Sequence, residues 1–285
     1  MHSAGDNVHR IKVDEKEEIC ITTHSNGGLI VSQLLPDRVL WSLPKEYVRE
    51  YAHCEYSNGY IIFDRRGNTK EVWRLAEHID SEDAQATASP PDQWQWLFSD
   101  CMERKYGPPS HGHFRPWALL AMPEWTRAYR FVYPTLLSAG ERTAFLHDVR
   151  TGALVQQFDI RAVQRVSYVE LSARHVLICA EDLSVYARTD GTLILTIDAS
   201  MEIARALRVQ PPHGRGPSFN SVAVPATLTP EPNSFLSGVT ADGRDLVVLY
   251  DEPAVLIVPE FERVCRKELA FKDAGVIVWL DDDLD

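Results

Sequence analysis

The sequence predicts an all-β fold, a β-propeller of about six four-stranded blades with seven as the alternative count, interrupted by one helical insertion. Two observations carry this. Residues 167–197 read as one complete antiparallel unit of four strands, and hairpins of the same design return along the rest of the chain. Recurrence of such a unit every few tens of residues is the mark of radial repetition, because each small twisted sheet buries its faces only against its neighbours.

Within 167–197, Val169 and Leu171 alternate with polar residues, and 176–180 is a short apolar run. Leu183, Val185 and Ala187 alternate again before Arg188-Thr189-Asp190-Gly191. Asp-Gly between two alternating runs is a strong hairpin signal. Residues 192–197 then supply a fourth strand rich in β-branched side chains.

The chain opens with a polar tail, 1–7, followed by strands at 8–13, 19–23, 29–34 and 39–43 with Asn26-Gly27-Gly28 and Pro36-Asp37 at the joints. The order returns at 51–56, 60–63 and 71–75, with turns at Asn58-Gly59 and Gly67-Asn68. Five hairpin copies align: LIVSQLLPDRVLWSL, YIIFDRRGNTKEVWRL, TAFLHDVRTGALVQQF, LSVYARTDGTLILTI and, weaker, AVLIVPEFERVCRKEL. In this alignment Trp41 and Trp73 take equivalent positions in fourth strands, as blade-to-blade packing residues.

Residues 79–113 form an insertion. Positions 77–91 are acidic, rich in Ala, Ser and Pro and free of aromatics, the composition of a mobile loop. At 92–102 the period changes: Trp94, Leu97, Phe98, Cys101 and Met102 recur at helical spacing, with Pro91 and Asp92 placed to start a helix. A Gly/Pro/His loop follows at 106–113, and strands resume at 116–122 and 129–133. A second wide gap, 201–233, holds loops at 211–217 and 225–233 around a brief strand at 221–224. A hairpin through Asp242-Gly243 and a last strand at 275–280 complete a single propeller domain over 8–280, before an acidic tail, 281–285. The last strand is expected to pair with the first blade and close the ring.

The 29 Lys plus Arg against 41 Asp plus Glu give a net charge of -12, which repels nucleic acid at long range. The nearest basic group, Arg205, Arg208, His213 and Arg215, is thin. Five scattered cysteines form neither a disulfide framework nor a CxxC knuckle, and point to a reducing compartment, cytoplasmic or nuclear. Residues 1–10 have no apolar signal-like run, no stretch of about 18 uncharged apolar residues occurs, and no glycosylation acceptor is present. No membrane association is expected.

The strings HDVRTGALVQQF, ARHVLICAEDLSVYARTDGTLILTI and TADGRDLVVLYDEPAVLIVPEFERVCR carry a resemblance. The chain resembles WD-repeat and related propellers, and is similar to the divergent propeller regions that follow the F-box in fungal F-box proteins. The resemblance covers most of the chain outside 79–113. The Gly-His and Trp-Asp dipeptides of a regular WD repeat are missing from the hairpin copies, and no amphipathic helical module precedes the first strand. The resemblance implies a scaffold and leaves open any role in ubiquitin ligase assembly.

No GxSxG elbow, Walker loop, GxGxxG after a strand, HExxH or EF-hand loop occurs. His111-Gly-His113 with Cys101 upstream reads as loop rather than metal site, so no catalytic, cofactor or metal residues are assigned. The candidate partner-binding residues are aromatic and basic. Trp94 and Phe98 are expected to dock the helix, which leaves Trp96 outside as an anchor for a partner, while Arg115, Trp117, Trp125 and Arg127 flank the same insertion. The reading is a non-enzymatic, monomeric protein-interaction module. Two alternatives remain: a ligand-binding or hydrolytic propeller using the central channel, and an incomplete propeller remnant of a longer F-box protein.

Overall fold

The computed structural model describes residues 7–65, 67–79, 87–160, 166–180, 182–197, 202–203, 205–209, 226–227, 236–239, 244–250 and 254–280. The tail through residue 6, the loop 211–217, the brief strand 221–224, the turn Asp242-Gly243 and the acidic tail 281–285 lie outside these residues. Cα packing groups the chain into two compact units. One is built on Met1–Trp125, Phe131–Leu136 and Leu146–Gln156, and the other on Thr126–Arg130, Leu137–Phe145 and Gln157–Asp285.

The first meander is β1 (Val8–Asp14), β2 (Ile19–His24), β3 (Leu29–Gln33) and β4 (Arg38–Leu43), in the order β1-β2-β3-β4. Its alternation is physical: Ile19, Ile21, Leu29 and Val31 are buried while Cys20, Thr22 and Ile30 are half-buried. The second comprises β5 (Cys54–Ser57), β6 (Tyr60–Asp64), β7 (Thr69–Leu75) and β8 (Phe114–Ala121). A 3-10 turn, Ala76–His78, and helix α1 (Gln93–Tyr106) lie between its last two strands. Strand β8 returns to pair antiparallel with β7, from Thr69↔Ala121 to Leu75↔Phe114, so the insertion is a loop within one blade.

The third meander, order β12-β11-β10-β9, uses β9 (Ala128–Val132), β10 (Thr135–Ala139), β11 (Thr143–Asp148) and β12 (Ala153–Asp159). The fourth is β13 (Tyr168–Leu171), β14 (His175–Cys179), β15 (Leu183–Ala187) and β16 (Leu193–Ile197), one uninterrupted antiparallel sheet over the stretch read as a complete unit. Strand β14 is buried at every position, which is why its sequence runs apolar instead of alternating.

The rest of the chain contributes β17 (Glu202–Ile203), β18 (Arg205–Val209), β19 (Ala226–Thr227), β20 (Leu236–Val239), β21 (Leu246–Leu249), β22 (Ala254–Val258), short helices α2 (Phe261–Cys265) and α3 (Phe271–Ala274), and β23 (Val276–Leu280). Strands β17 and β19 pair with each other, and the others form a sheet ordered β18-β23-β22-β21-β20.

A repeated irregularity marks the blades. Val31 pairs with Trp41 but Ser32 with Val39, which leaves Leu40 as an extra residue. Val72 pairs with Ala118 but Trp73 with Pro116, leaving Trp117, and Val185 pairs with Leu195 but Tyr186 with Leu193, leaving Ile194. Each is a one-residue bulge in the ladder between third and fourth strands, which bends the last strand and increases its twist.

Each unit has its own core. Ile19, Ile21, Leu29, Val31, Trp41, Leu43, Phe63, Trp73, Leu75 and Phe114 cluster in the first, and Leu177, Leu183, Val185, Leu246, Leu256, Phe261 and Ile277 in the second. Each fully buried aliphatic side chain contributes about 1.5–3 kcal/mol relative to exposure.

Three expectations are corrected. The last strand does not pair with the first blade: β23 lies inside its own sheet, antiparallel to β22 and parallel to β18, so both of its edges are occupied. The string AVLIVPEFERVCRKEL is not a hairpin. After β22 the backbone turns at Glu260, at φ 52, and Phe261 and Val264 bury themselves at helical spacing on α2. Trp41 and Trp73 do pack together, with ring centroids 5.5 Å apart, but Trp73 sits on the third strand of its sheet because the fourth is β8.

Candidate partner-binding surface

Helix α1 begins at Asp92, whose Oδ1 accepts from the Gln95 N–H at 2.9 Å while Gln95 Oε1 accepts from the Asp92 N–H at 3.2 Å, a reciprocal capping box. Gln95 is fully buried, and its Nε2 also donates to Ala118 O on β8 at 3.2 Å. The segment before the helix is fixed as well, with Ser89 O accepting from Leu119 N at 3.1 Å and Ser89 Oγ donating to Gly152 O at 2.9 Å. At the far end Tyr106 Oη lies 2.6 Å from Ser42 Oγ, and the helix stops at Gly107, at φ 89.

A buried polar chain ties the cap to the sheets. Arg65 Nη1 donates to Asp92 Oδ2 at 2.6 Å, and its Nε lies 3.2 Å from Glu71 Oε1 without hydrogen-bond geometry. Glu71 Oε2 accepts from Tyr47 Oη at 2.5 Å and from Trp73 Nε1 at 2.8 Å. Burial raises the Glu71 carboxyl above its ordinary range, opposed by the Tyr47 and Trp73 hydrogen bonds and the Arg65 charge. Burial, with the Glu71 carboxylate beside it, holds the Tyr47 hydroxyl in its protonated, donating form. Tyr47 also packs against Phe98, with ring centroids 4.3 Å apart and the planes tilted by 35°.

The docked face is Gln95, Ser99 and Met102, with Phe98 and Cys101 at its margin. This corrects the expectation that Trp94 docks the helix. The Gln95 bonds turn a polar residue inward, and Trp94 is left 46% exposed with its ring 5.0 Å from Phe98. Trp96 is 42% exposed and Leu97 47% exposed. At about 100° per residue, Leu97 points away from the buried face and the two tryptophans flank it. Asp100 and Glu103 are exposed on the Trp96 side, beside a cleft of about 480 Å³ that also includes Arg104 and Pro108.

Arg115 and Trp117 are brought together on β8. Trp117 is the bulged residue, and its Nε1 donates to Val149 O at 2.9 Å and Arg150 O at 3.2 Å. Arg74, the ladder partner of Arg115, lays its guanidinium 4.7 Å from the Trp117 ring. Trp96 stands apart on α1, and Trp125 lies in the β8–β9 connection, 47% exposed. Sequence reasoning missed Gln95, Glu71 and Arg65 as the groups that fix the helix. A capping signature, Asp92 with Gln three places on, was the available signal.

Among the described residues no three His, Cys, Asp or Glu side chains are grouped to hold a metal, and no helix is long and apolar enough to cross a membrane. His111 Nδ1 is 3.2 Å from Glu77, and His113 Nε2 is 3.3 Å from Ser110 Oγ, so the two histidines have separate partners.

No family model and no curated protein matches the sequence. Solved structures similar to it include Kluyveromyces lactis Hsv2p, at 11% identity over 92% of this chain and 65% of that one, with TM-score 0.49. They also include the Myceliophteria thermophila Cps50 (Swd1) β-propeller domain, at 10% identity over 90% of this chain and 66% of that one, TM-score 0.52. The computationally designed Ika4 protein is similar at 12% identity over 66% of this chain and 94% of that one, TM-score 0.44. The chain spans about two thirds of the length of the first two. Five blade-type sheets and the β17–β19 pair among the described residues, together with the likeness to the Swd1 domain, identify the fold as a β-propeller with a count consistent with about six blades.

Proposed function

We propose that this chain is a non-enzymatic, monomeric protein-interaction module and that its partner docks on the outer face of helix α1. The carrying observation is the placement of Trp94, Trp96 and Leu97, each more than two-fifths exposed, on a helix held at both ends. Rigid, exposed aromatic side chains lose little conformational freedom on binding and dominate interface energetics. Asp100 and Glu103 beside Trp96 favour a partner segment with an apolar anchor flanked by Lys or Arg. None of the five cysteines is in a disulfide, which suits the cytoplasm or nucleus. Kinship with the propeller regions of fungal F-box proteins belongs to this proposal and rests on the strings quoted above.

Affinity capture by the wild-type chain and Leu97→Asp, quantified side by side, tests the reading. A specific partner depleted about tenfold by the substitution, at unchanged circular dichroism and melting temperature, supports it. An unchanged partner set overturns it.

A further inference from the structure

The entry to β1 and the β4–β5 connection, both in the first unit, bring an exposed aromatic ring together with histidines and an arginine. Tyr51 is 59% exposed and Val8 53%, Arg10 is exposed, and His9 and His53 are half-buried. Tyr51 lies in the left-handed region at φ 51, an uncommon conformation for a bulky residue. Its surroundings hold it there: Val48 and Ala52 are fully buried, and Ala52 O accepts from Thr23 Oγ1 at 2.8 Å. The Tyr51 ring meets the His9 ring edge-on, with centroids 5.5 Å apart.

The other cations of this region are tied to buried carboxylates. Lys12 Nζ lies 3.0 Å and His53 Nε2 2.9 Å from Glu55, while Arg49 and Lys70 share Asp64. Arg10 touches no carboxylate among the described residues: its Nε donates to His53 Nδ1 at 3.4 Å and its Nη1 to His9 O at 3.3 Å. Glu50 is exposed next to Arg49 in the chain, Lys45 and Glu46 cancel each other earlier on the connection, and His24 is the buried ladder partner of Val8. Arg10, Lys12, Arg49 and Lys70 against Glu50, Glu55 and Asp64 are thus near balance while the imidazoles are neutral.

Protonation of His9 and His53 adds two positive charges. It also frees Arg10, because a His53 ring with a proton on Nδ1 no longer accepts from the guanidinium. Burial, then Arg10, His53 and Arg49, hold His9 below the ordinary imidazole range, so a carboxylate placed among these cations favours the proton they oppose. By linkage, a carboxylate that binds there takes up protons, and its affinity rises as pH falls.

We propose that this patch is an acid-strengthened docking surface for a partner segment carrying a carboxylate side chain beside an apolar one. The carboxylate takes the Arg10 fork between His9 and His53, and its apolar neighbour packs on Tyr51 and Val8. Tyrosine and arginine are enriched among interface anchors. So small a surplus suits one or two carboxylates, and a chain of net charge -12 repels a continuous polyanion. The patch shares no residue with the outer face of α1, and the two readings can fail independently.

The test is fluorescence anisotropy of the full chain with a C-terminally amidated peptide pool carrying a central Asp-Leu pair in random neutral flanks, against the same pool with Asn-Leu. Both are measured at about pH 6 and about pH 8 at constant ionic strength, with a single-stranded oligonucleotide as a parallel arm. At the lower pH the Asp pool should bind at least about tenfold tighter than the Asn pool, and the preference should largely vanish at the higher. Arg10→Ala should abolish the preference at both values, H9Q/H53Q should make it independent of pH, and L97D should retain it. If the double histidine variant does not fold, His9→Gln alone should make the pH dependence shallower. Tyr51→Gly, which relieves the left-handed backbone, should weaken binding of the Asp pool about tenfold without lowering the melting temperature. Equal binding of the pools at the lower pH, a preference that does not change with pH, one that survives Arg10→Ala, or binding to the oligonucleotide in place of the peptides overturns the proposal.

Discussion

The Arg74 guanidinium lies 4.7 Å from the centre of the Trp117 ring, and it is also 5.2 Å from the Tyr60 ring, so one cation on β7 is shared by aromatic rings on the two flanking strands, β6 and β8. Arg115 stands opposite Arg74 in the ladder, and the rings offset the like-charge juxtaposition. In a double-mutant cycle by chemical denaturation, Arg74→Met and Trp117→Leu should show a coupling of about 1 kcal/mol. Additive losses would mean that the stack contributes nothing beyond packing.

Asp92 serves the helix N–H groups and Arg65 at once. Asp92→Ala should cost about 1–2 kcal/mol in global stability. It should also speed amide exchange in the first turn of α1 and shift the emission of Trp94 and Trp96. A global loss without local loosening would place the effect elsewhere.

His147 is buried on β11, its Nδ1 lacks a hydrogen-bond partner, and burial pushes its pKa down to about 4. The unfolded chain takes up this proton first, near the ordinary imidazole value of about 6.5. The stability held by the neutral ring is thus fully present above about pH 6.5 and is lost as pH falls toward 4, by up to about 3 kcal/mol. His147→Leu should flatten that part of the stability profile, measured by urea denaturation across the window.

Gly191 and Gly67 both have positive φ, at 74° and 91°. A Cβ at Gly191 would collide with the ring of Phe158, whereas no atom of the described residues beyond its chain neighbours lies within 4 Å of one at Gly67. Gly67→Ala should therefore cost about 1–2 kcal/mol from backbone strain alone, and Gly191→Ala about 1–3 kcal/mol more from overpacking. Equal melting temperatures for the two variants would show that Phe158 yields freely.

The meander over 167–197 was legible because alternation at Val169, Leu171, Leu183 and Val185 and the Asp190-Gly191 turn are local signals that agree with the tertiary outcome. The parallel pairing of β18 with β23 joins residues about seventy positions apart, and no local pattern encodes it. The bulge at Trp117 is a register event, visible only once both strands are in place. At α1, hydrophobicity pointed to Trp94 as the docked side chain, while the buried anchor is a glutamine that satisfies the cap and a β8 carbonyl. Glu71, read as an ordinary strand residue, is fully buried for a related reason: a tyrosine, a tryptophan and an arginine converge on it.

Strand β23 occupies the second position of a five-stranded sheet and bonds to neighbours made well before it, β22 and the far earlier β18. During synthesis, β18 must therefore wait with an open hydrogen-bonding edge until residues 276–280 have left the ribosome exit tunnel. For that interval, the segment 205–209 carries an unpaired strand edge on the nascent chain.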